Sequence, residues 1–370
     1  MPGKSPGLES QLRARIAESG SIGFDEFMAA ALYEPRHGFY AAERSRTGRR
    51  GDFFTSVSVG PVFGRLLAAQ FLEMRTQLGN PDDFTLVEQG ANDGQLMADI
   101  LDAWPGHPPR VVIVEPLANL REIQRQKLAH RAPKFSQVSH ENELSAFTGV
   151  FFANELLDAF PVKLIVRRGG EWFERRVEQN GEGFVFVETV FPGDTPPVAL
   201  DTAEFHTEVC PSLGPWINTV ASRLQRGWML LVDYGHPARA RYHPARAGGS
   251  LAAYRDHRHV ENPLENPGGQ DLTAHVDFSA VARAAEEAGL LVAGFTDQHH
   301  ALTALAERIF PGMPGDRLSD AAAREMRALR QLMHPESMGT SFKFLALAKG
   351  ADMPLAAFAF ARDPREELFA

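Results

Sequence analysis

The stretch Phe84-Thr-Leu-Val-Glu88-Gln-Gly90-Ala-Asn92-Asp-Gly94 constrains this chain more than any other. An apolar run ends in an acid, two glycines bracket a tight turn, and a helix-forming run from Gln95 to Ala103 follows at once. Strand, turn and helix in that order form the nucleotide-binding corner of a doubly wound α/β fold. The next apolar run, Val111-Val-Ile-Val114, ends in Glu115, 25 residues beyond Gly90. An acid at that strand tip is placed to accept hydrogen bonds from a ribose. Together the two signals point to a nucleoside-bearing cofactor.

The rest of the chain extends this pattern. Strands are expected at 84–88, 110–115, 135–138 and 149–153, with helices at 95–103 and 117–130 between them. Such alternation signals a mostly parallel sheet covered by helices on both faces. Three short runs over 162–190, separated by Gly-Gly and Asn-Gly, read as an inserted antiparallel meander. The pattern resumes with a helix over 201–225, a buried strand at 228–233 ending in Asp233, and a long loop over 236–272. A helix at 277–288 and strands at 290–296 and 342–347 follow. Ahead of the core, 8–33 and 61–78 read as helices and 35–60 as loop. The expected fold is α/β: an N-terminal helical extension and lid (1–80), a doubly wound core (81–350) with its insertions, and a tail (351–370).

At 370 residues the chain can bury a sizeable core. Its net charge of −9 argues against a broad nucleic-acid surface. A single cysteine, Cys210, excludes an internal disulfide framework and a cysteine-rich zinc site. No metal is expected, because the histidines, His299 and His300 included, lack ligand spacing. No apolar run reaches membrane-spanning length, and Met1-Pro-Gly-Lys-Ser-Pro lacks the apolar core of a secretory signal. The expectation is a cytoplasmic protein with no membrane partner; self-association as a homodimer stays open.

Spacing narrows the cofactor. A dinucleotide fingerprint needs G-x-G-x-x-G, but counting from Gly90 the second and third positions are Asn92 and Gln95. The pattern is E-x-G-x-N-x-G, which resembles motif I of class I S-adenosylmethionine methyltransferases, E/D-x-G-x-G-x-G. Asn tolerates positive φ better than most residues and is a fitting substitute for glycine at position 92. On its own the turn reads equally well as a tight connection; Glu115 tips the balance.

Five further segments carry a more specific likeness. They are Phe27-Met-x-x-Ala-Leu-Tyr-x-Pro-x-x-Gly38-Phe-Tyr40, Gly51-Asp-Phe-Phe-Thr-Ser56, Ala153-Asn-Glu-Leu-Leu-Asp158-Ala-Phe-Pro161, Val232-Asp-Tyr-Gly235 and Asp271-Leu-Thr-x-His-Val-Asp277-Phe. In this order they resemble the MidA family of class I methyltransferases, from about residue 20 to about 348. The family's usual first motif has Gly-Pro-Gly where this chain has Gly90-Ala91-Asn92. The resemblance implies a Rossmann-like methyltransferase core using S-adenosylmethionine. The family's mitochondrial branch is associated with complex I assembly through methylation of a protein arginine. An arginine in a partner protein is thus the implied acceptor.

Arginine is a difficult acceptor because its guanidinium is always protonated at neutral pH. Carboxylates must grip the fork and localise a lone pair on one nitrogen. Glu155 and Asp158, after the fourth strand, can supply that grip, with Asn154 facing the cofactor; capping of a following helix is their alternative. His275 is a candidate proton relay oriented by Asp277, although Thr273 and Asp277 also suit a helix start. The cofactor set is Glu88, Gly90, Asn92, Gly94, Glu115 and Asn154, with Thr55 in a lid over 52–56. Asp233-Tyr234 has two readings of equal weight: a contact to the substrate channel, or a buried acid satisfied by neighbouring backbone. Arg167-Arg168 and Arg175-Arg176 read as a solvated face. Two other functions remain in play: a degenerate methyltransferase fold serving as an assembly scaffold, supported by Asn92 alone, and an oxidoreductase, which the glycine spacing opposes.

Overall fold

The computed structural model describes residues 7–41, 56–181, 183–196, 202–256, 258–309, 320–351 and 353–369. The strands are β1 (Thr85–Gln89), β2 (Arg110–Val114), β3 (Phe135–Val138), β4 (Phe147–Asn154), β5 (Lys163–Arg168), β6 (Glu171–Asn180), β7 (Gly183–Val190), β8 (Glu204–Val209), β9 (Leu224–His236), β10 (Ala252–Arg255), β11 (Arg258–Val260), β12 (Asp271–Thr273), β13 (Val276–Asp277), β14 (Leu291–Asp297) and β15 (Phe342–Lys349). The helices are α1 (Leu8–Ser19), α2 (Phe24–Tyr33), α3 (Val62–Gln77), α4 (Gln95–Asp102), α5 (Ala118–Leu128), α6 (Leu213–Arg223), α7 (Ala238–Arg241), α8 (Phe278–Glu287), α9 (Gln298–Ile309), α10 (Asp320–Met333) and α11 (Pro364–Leu368).

The central sheet runs β14-β15-β9-β4-β1-β2-β3, and β13 pairs with the end of β9. β3, β2, β1, β4 and β9 are parallel, while β15 lies antiparallel between β9 and β14. Because helices cover both faces, the central strands are apolar on both sides. In β4, Val150 and Phe152 face α3 and α4, while Phe151 and Ala153 face α6 and α8. Phe71 of α3 meets Phe152 with ring centroids 5.0 Å apart.

A second layer sits over the carboxyl edge of this sheet. α1 and α2 bury Leu12, Ile16, Phe24, Phe27 and Met28 against Leu164, Val177 and Phe184 of the meander and Leu272 of β12. This layer brings Tyr33 and Tyr40 from the N-terminal segment to the site.

Four expectations need correction. The helix read over 8–33 is two helices, because Gly20 takes a positive φ (80°) and Ile22 bridges Val177 of β6. The helix read over 201–225 is β8 followed by α6. Phe205 and Thr207 alternate inward, β8 completes the meander beside β5, and Pro211 separates strand from helix. The loop at 236–272 holds α7 and the small sheet β11-β10-β12. The terminal segment is tied in: Leu355, Ala356 and Leu368 are buried. α9 and α10 add two helices to the expected set.

Candidate active site

Two chambers open where the strands end and the turns begin. The first, about 560 Å³, is lined by Gly90, Glu115, Leu117, Glu141, Phe160 and Trp216 among others. The second, about 130 Å³, is lined by Glu88, Asn154, Glu155, Asp158, Tyr234 and Asp271 among others. Tyr40, Gly90, Asn92 and Glu155 line both, so the chambers are neighbours across the β1 turn.

The turn is built from residues with positive φ: Gly90 (φ 79°), Asn92 (φ 47°) and Gly94 (φ 79°). Asn92 thus takes the conformation a glycine would take at that position. Gln124, fully buried on α5, donates to the Asn92 carbonyl (2.7 Å) and to Glu115 Oε2 (3.2 Å). Glu115 Oε1 accepts the Leu117 N–H at 2.9 Å. Burial pushes the Glu115 carboxyl up to about 7 despite these bonds. Asp93 is occupied by Lys127 at 2.7 Å.

The second chamber concentrates acids. Glu88 is 2% exposed, and its Oε2 has no hydrogen-bond partner. Burial, and then the charge of Asp93, push it up to about 8. Asn154 Oδ1 is likewise buried and unpartnered. Glu155 follows β4 with left-handed backbone (φ 54°), and its Oε1 accepts from Asn154 Nδ2 at 3.0 Å. Burial and the neighbouring Asp158 charge push Glu155 up to about 8. Asp158 takes a hydrogen bond from the Tyr234 hydroxyl on Oδ2, while its Oδ1 has none. Its carboxyl is lifted by burial to about 6. Tyr40 donates to Asp271 at 3.1 Å.

These shifts carry a stability consequence. Glu88 and Glu155 hold protons in the fold up to about pH 8 and in the unfolded chain only to the ordinary 4.5. The folded state therefore binds the extra protons between those values, and their contribution to stability is lost as pH rises through about 8. The ligand-free protein should lose melting temperature from about pH 5 to about pH 8 and level off above that, and Glu88→Gln should flatten that decline. Equal slopes for parent and variant in differential scanning fluorimetry would remove Glu88 as the cause.

Of the candidates read from the sequence, Glu88, Gly90, Asn92, Glu115, Asn154, Glu155 and Asp158 come together around the two chambers. Thr55 and the lid segment before Ser56 lie outside the described residues. Three candidates do not join the site. Gly94 lines neither chamber; a Cβ there would meet Leu128 Cδ1 at 3.2 Å, so it serves the packing of α4 on α5. His275 lies behind Tyr234, with ring centroids 5.5 Å apart, in a separate cavity with His236 and Arg241. Asp277 caps α8: its Oδ1 accepts from Ala280 N–H at 2.9 Å and its Oδ2 from the Tyr242 hydroxyl at 2.9 Å. Asp277→Ala should cost about 0.5–2 kcal/mol of stability and leave methyl transfer unchanged, checked by denaturant melts beside an activity assay.

Other residues at the site lie outside the sequence candidates, apart from Tyr234, which the sequence offered as a contact to the substrate channel. Three of the chain's five tyrosines, Tyr33, Tyr40 and Tyr234, line the chambers. Tyr33 anchors itself by donating to the Ala159 carbonyl at 2.8 Å. Trp216 Nε1 donates to Gln89 Oε1 at 2.9 Å and walls the larger chamber. Gln124 carried a faint signal, since it sits four residues before Leu128 on the one buried face of α5. Nothing in one sequence marks Trp216 or Tyr33 as lining residues.

A mostly parallel sheet with one reversed strand between its last two, and a nucleoside-sized chamber at the carboxyl ends of β1 and β2, define a class I S-adenosylmethionine-dependent methyltransferase. Residues 66–296 match the family described as "Putative S-adenosyl-L-methionine-dependent methyltransferase", and the chain belongs to that family. It is 28% identical to the Drosophila melanogaster protein named protein arginine methyltransferase NDUFAF7 homolog, mitochondrial, over 93% of this chain and 85% of that protein. The human protein arginine methyltransferase NDUFAF7, mitochondrial, is also 28% identical, with 91% and 82% covered. A crystal structure from Burkholderia thailandensis, bound to S-adenosyl-homocysteine, superimposes with a TM-score of 0.88 at 30% identity, covering 98% of this chain and 99% of that one. The resemblance read from the motifs and the methyl donor inferred from the turn both agree with these findings.

The residues present fit that donor. Its ammonium group brings the N–H donors that Glu88 Oε2 and Asn154 Oδ1 lack, and its ribose hydroxyls suit the acceptor sites left on Glu115.

Proposed function

We propose that this methyltransferase modifies the guanidinium of an arginine in a partner protein. The observation that carries the reading is the smaller chamber. It is lined by the buried acids Glu88, Glu155 and Asp158, with no lysine or arginine among the described lining residues. Buried carboxylates without a cation resist ionisation, and burial lifts Glu155 to about 8 and Asp158, less far, to about 6. An arriving guanidinium supplies the missing charge and favours their ionised forms.

The donor supplies an electrophilic methyl group on a sulfonium. Glu115 and Glu88 hold the donor's two polar ends. Glu155 is the one acid among the described residues that lines both chambers. It grips the guanidinium next to the donor and localises the lone pair of the attacking nitrogen. Asp158 completes the grip, and its free Oδ1 takes the proton that the nitrogen loses. The names of the Drosophila and human relatives support an arginine acceptor. No observation favours the scaffold alternative, since Asn92 adopts the backbone that its position requires.

The test is label transfer. The protein is incubated with methyl-labelled S-adenosylmethionine and either dialysed lysate or protein-free metabolite extract. Label in a protein band, recovered as methylarginine after hydrolysis, is the expected result. Label confined to the metabolite fraction overturns the reading.

A further inference from the structure

We infer that Asp233, at the end of β9, is the positioning residue that holds Glu155 and Asp158 in place for methyl transfer. The inference rests on the role just given to those two carboxylates. Asp233 is 1% exposed, and its side chain collects backbone N–H groups. Its Oδ2 accepts from three successive residues, Leu156 (3.1 Å), Leu157 (2.8 Å) and Asp158 (3.3 Å). Its Oδ1 accepts from Tyr234 at 2.8 Å. The first three are the residues immediately after Glu155.

The local chain explains why such a clamp is needed. Asn154 still pairs with Val232 in the sheet, and the Glu155 N–H still reaches the Val232 carbonyl at 2.9 Å. Glu155 then turns left-handed, a conformation disfavoured for any residue with a side chain. The turn ends the sheet ladder and leaves the next three N–H groups without strand partners. One carboxyl side chain on the neighbouring strand collects all three on a single acceptor oxygen. The adjacent Tyr234 fixes the Asp158 carboxylate through its hydroxyl, and Ala274 N–H holds the Asp158 carbonyl at 2.9 Å. Burial makes an ionised acid at 233 costly, and the charges of Asp158 and Glu155 beside it add to that cost. An acid that only filled space would be easily replaced by an apolar side chain; one that gathers three amides would not.

The test uses Asp233→Asn, which keeps the shape but trades one acceptor oxygen for an N–H₂ group. Backbone hydrogen exchange at 156–158 should accelerate at least about tenfold, while exchange in β4 and β1 stays as in the parent. Methyl transfer into whichever fraction the parent labels should fall at least about a hundredfold, with donor affinity changed less than about threefold. Adding Glu155→Gln should then cost less than about threefold more, because the two changes remove the same arrangement. Retained transfer, unchanged exchange at 156–158, or a Glu155→Gln loss that multiplies in full would each overturn the inference. If Asp233→Asn does not fold, Asp233→Glu, which displaces the carboxylate by one methylene, is judged by the same readouts. Label found only in metabolites would defeat the arginine reading and leave the Asp233 comparison intact.

Discussion

Glu155→Gln should lower methyl transfer by about 10²–10³-fold and leave donor affinity within a few-fold of the parent, an effect the size of removing one preorganised transition-state contact. The substitution preserves the bond from Asn154 Nδ2 to the side-chain oxygen and nearly preserves volume. It removes the negative charge at the boundary of the two chambers. In the proposed site, Glu88, Glu115 and the turn at Gly90 hold the donor, and the change does not touch them. Single-turnover label transfer beside calorimetric donor titration separates the two effects. The pH profile gives a further check. Glu155 must be ionised to grip a cation, and its carboxyl is pushed up to about 8, so transfer in the parent should rise with pH towards that value. In the variant this limb should disappear. A variant with full activity and an unchanged profile would leave Glu155 without a role in the chemistry.

Gly90→Val should abolish detectable donor binding, a loss of at least about 100-fold, which corresponds to about 2.7 kcal/mol. Two costs act together. Gly90 sits at φ 79°, where a β-branched residue is strained, and a Cβ there would meet Leu156 Cδ1 at 3.1 Å. Gly90 also lines both chambers, so the added methyls enter the space the donor needs and press on the residue after Glu155. Gly94→Val is the instructive contrast. Its Cβ points at Leu128 and Gln124 of α5, so its first effect should be on stability and helix packing. Equal donor affinity in Gly90→Val and the parent, measured by calorimetry on folded protein, would remove the turn from the donor site.

The core was legible because its signals are local. In β1, β2 and β4 a run of apolar residues meets a turn, and burial on both faces keeps the run unbroken. The turn at Gly90-Ala91-Asn92 reads from residue type alone, because few residues tolerate the left-handed backbone it uses. The same local logic misread 201–225. There a six-residue strand exists only because β5 offers an edge to pair with, and its neighbour on that edge lies about forty residues earlier in the chain.

The site divides along the same line. By itself the sequence determined the sheet class, the left-handed turn after β1, the acid at the tip of β2 and the acids after β4, because each follows from residue type and spacing within one strand-turn unit. Only the tertiary structure decided which acids share a chamber. Asp277 and Asp158 are both acids beside helical or turn segments, yet one is spent on the Ala280 N–H while the other faces a cavity with an unpartnered oxygen. Asp233 and Tyr234 are adjacent in sequence, yet one gathers backbone amides and the other grips a carboxylate. Tyr40 reaches the site only because α2 packs on the meander and β12. The physical reason is that a side chain's role depends on its desolvation and its partners. Those are set by contacts between segments distant in the chain, which no local pattern encodes.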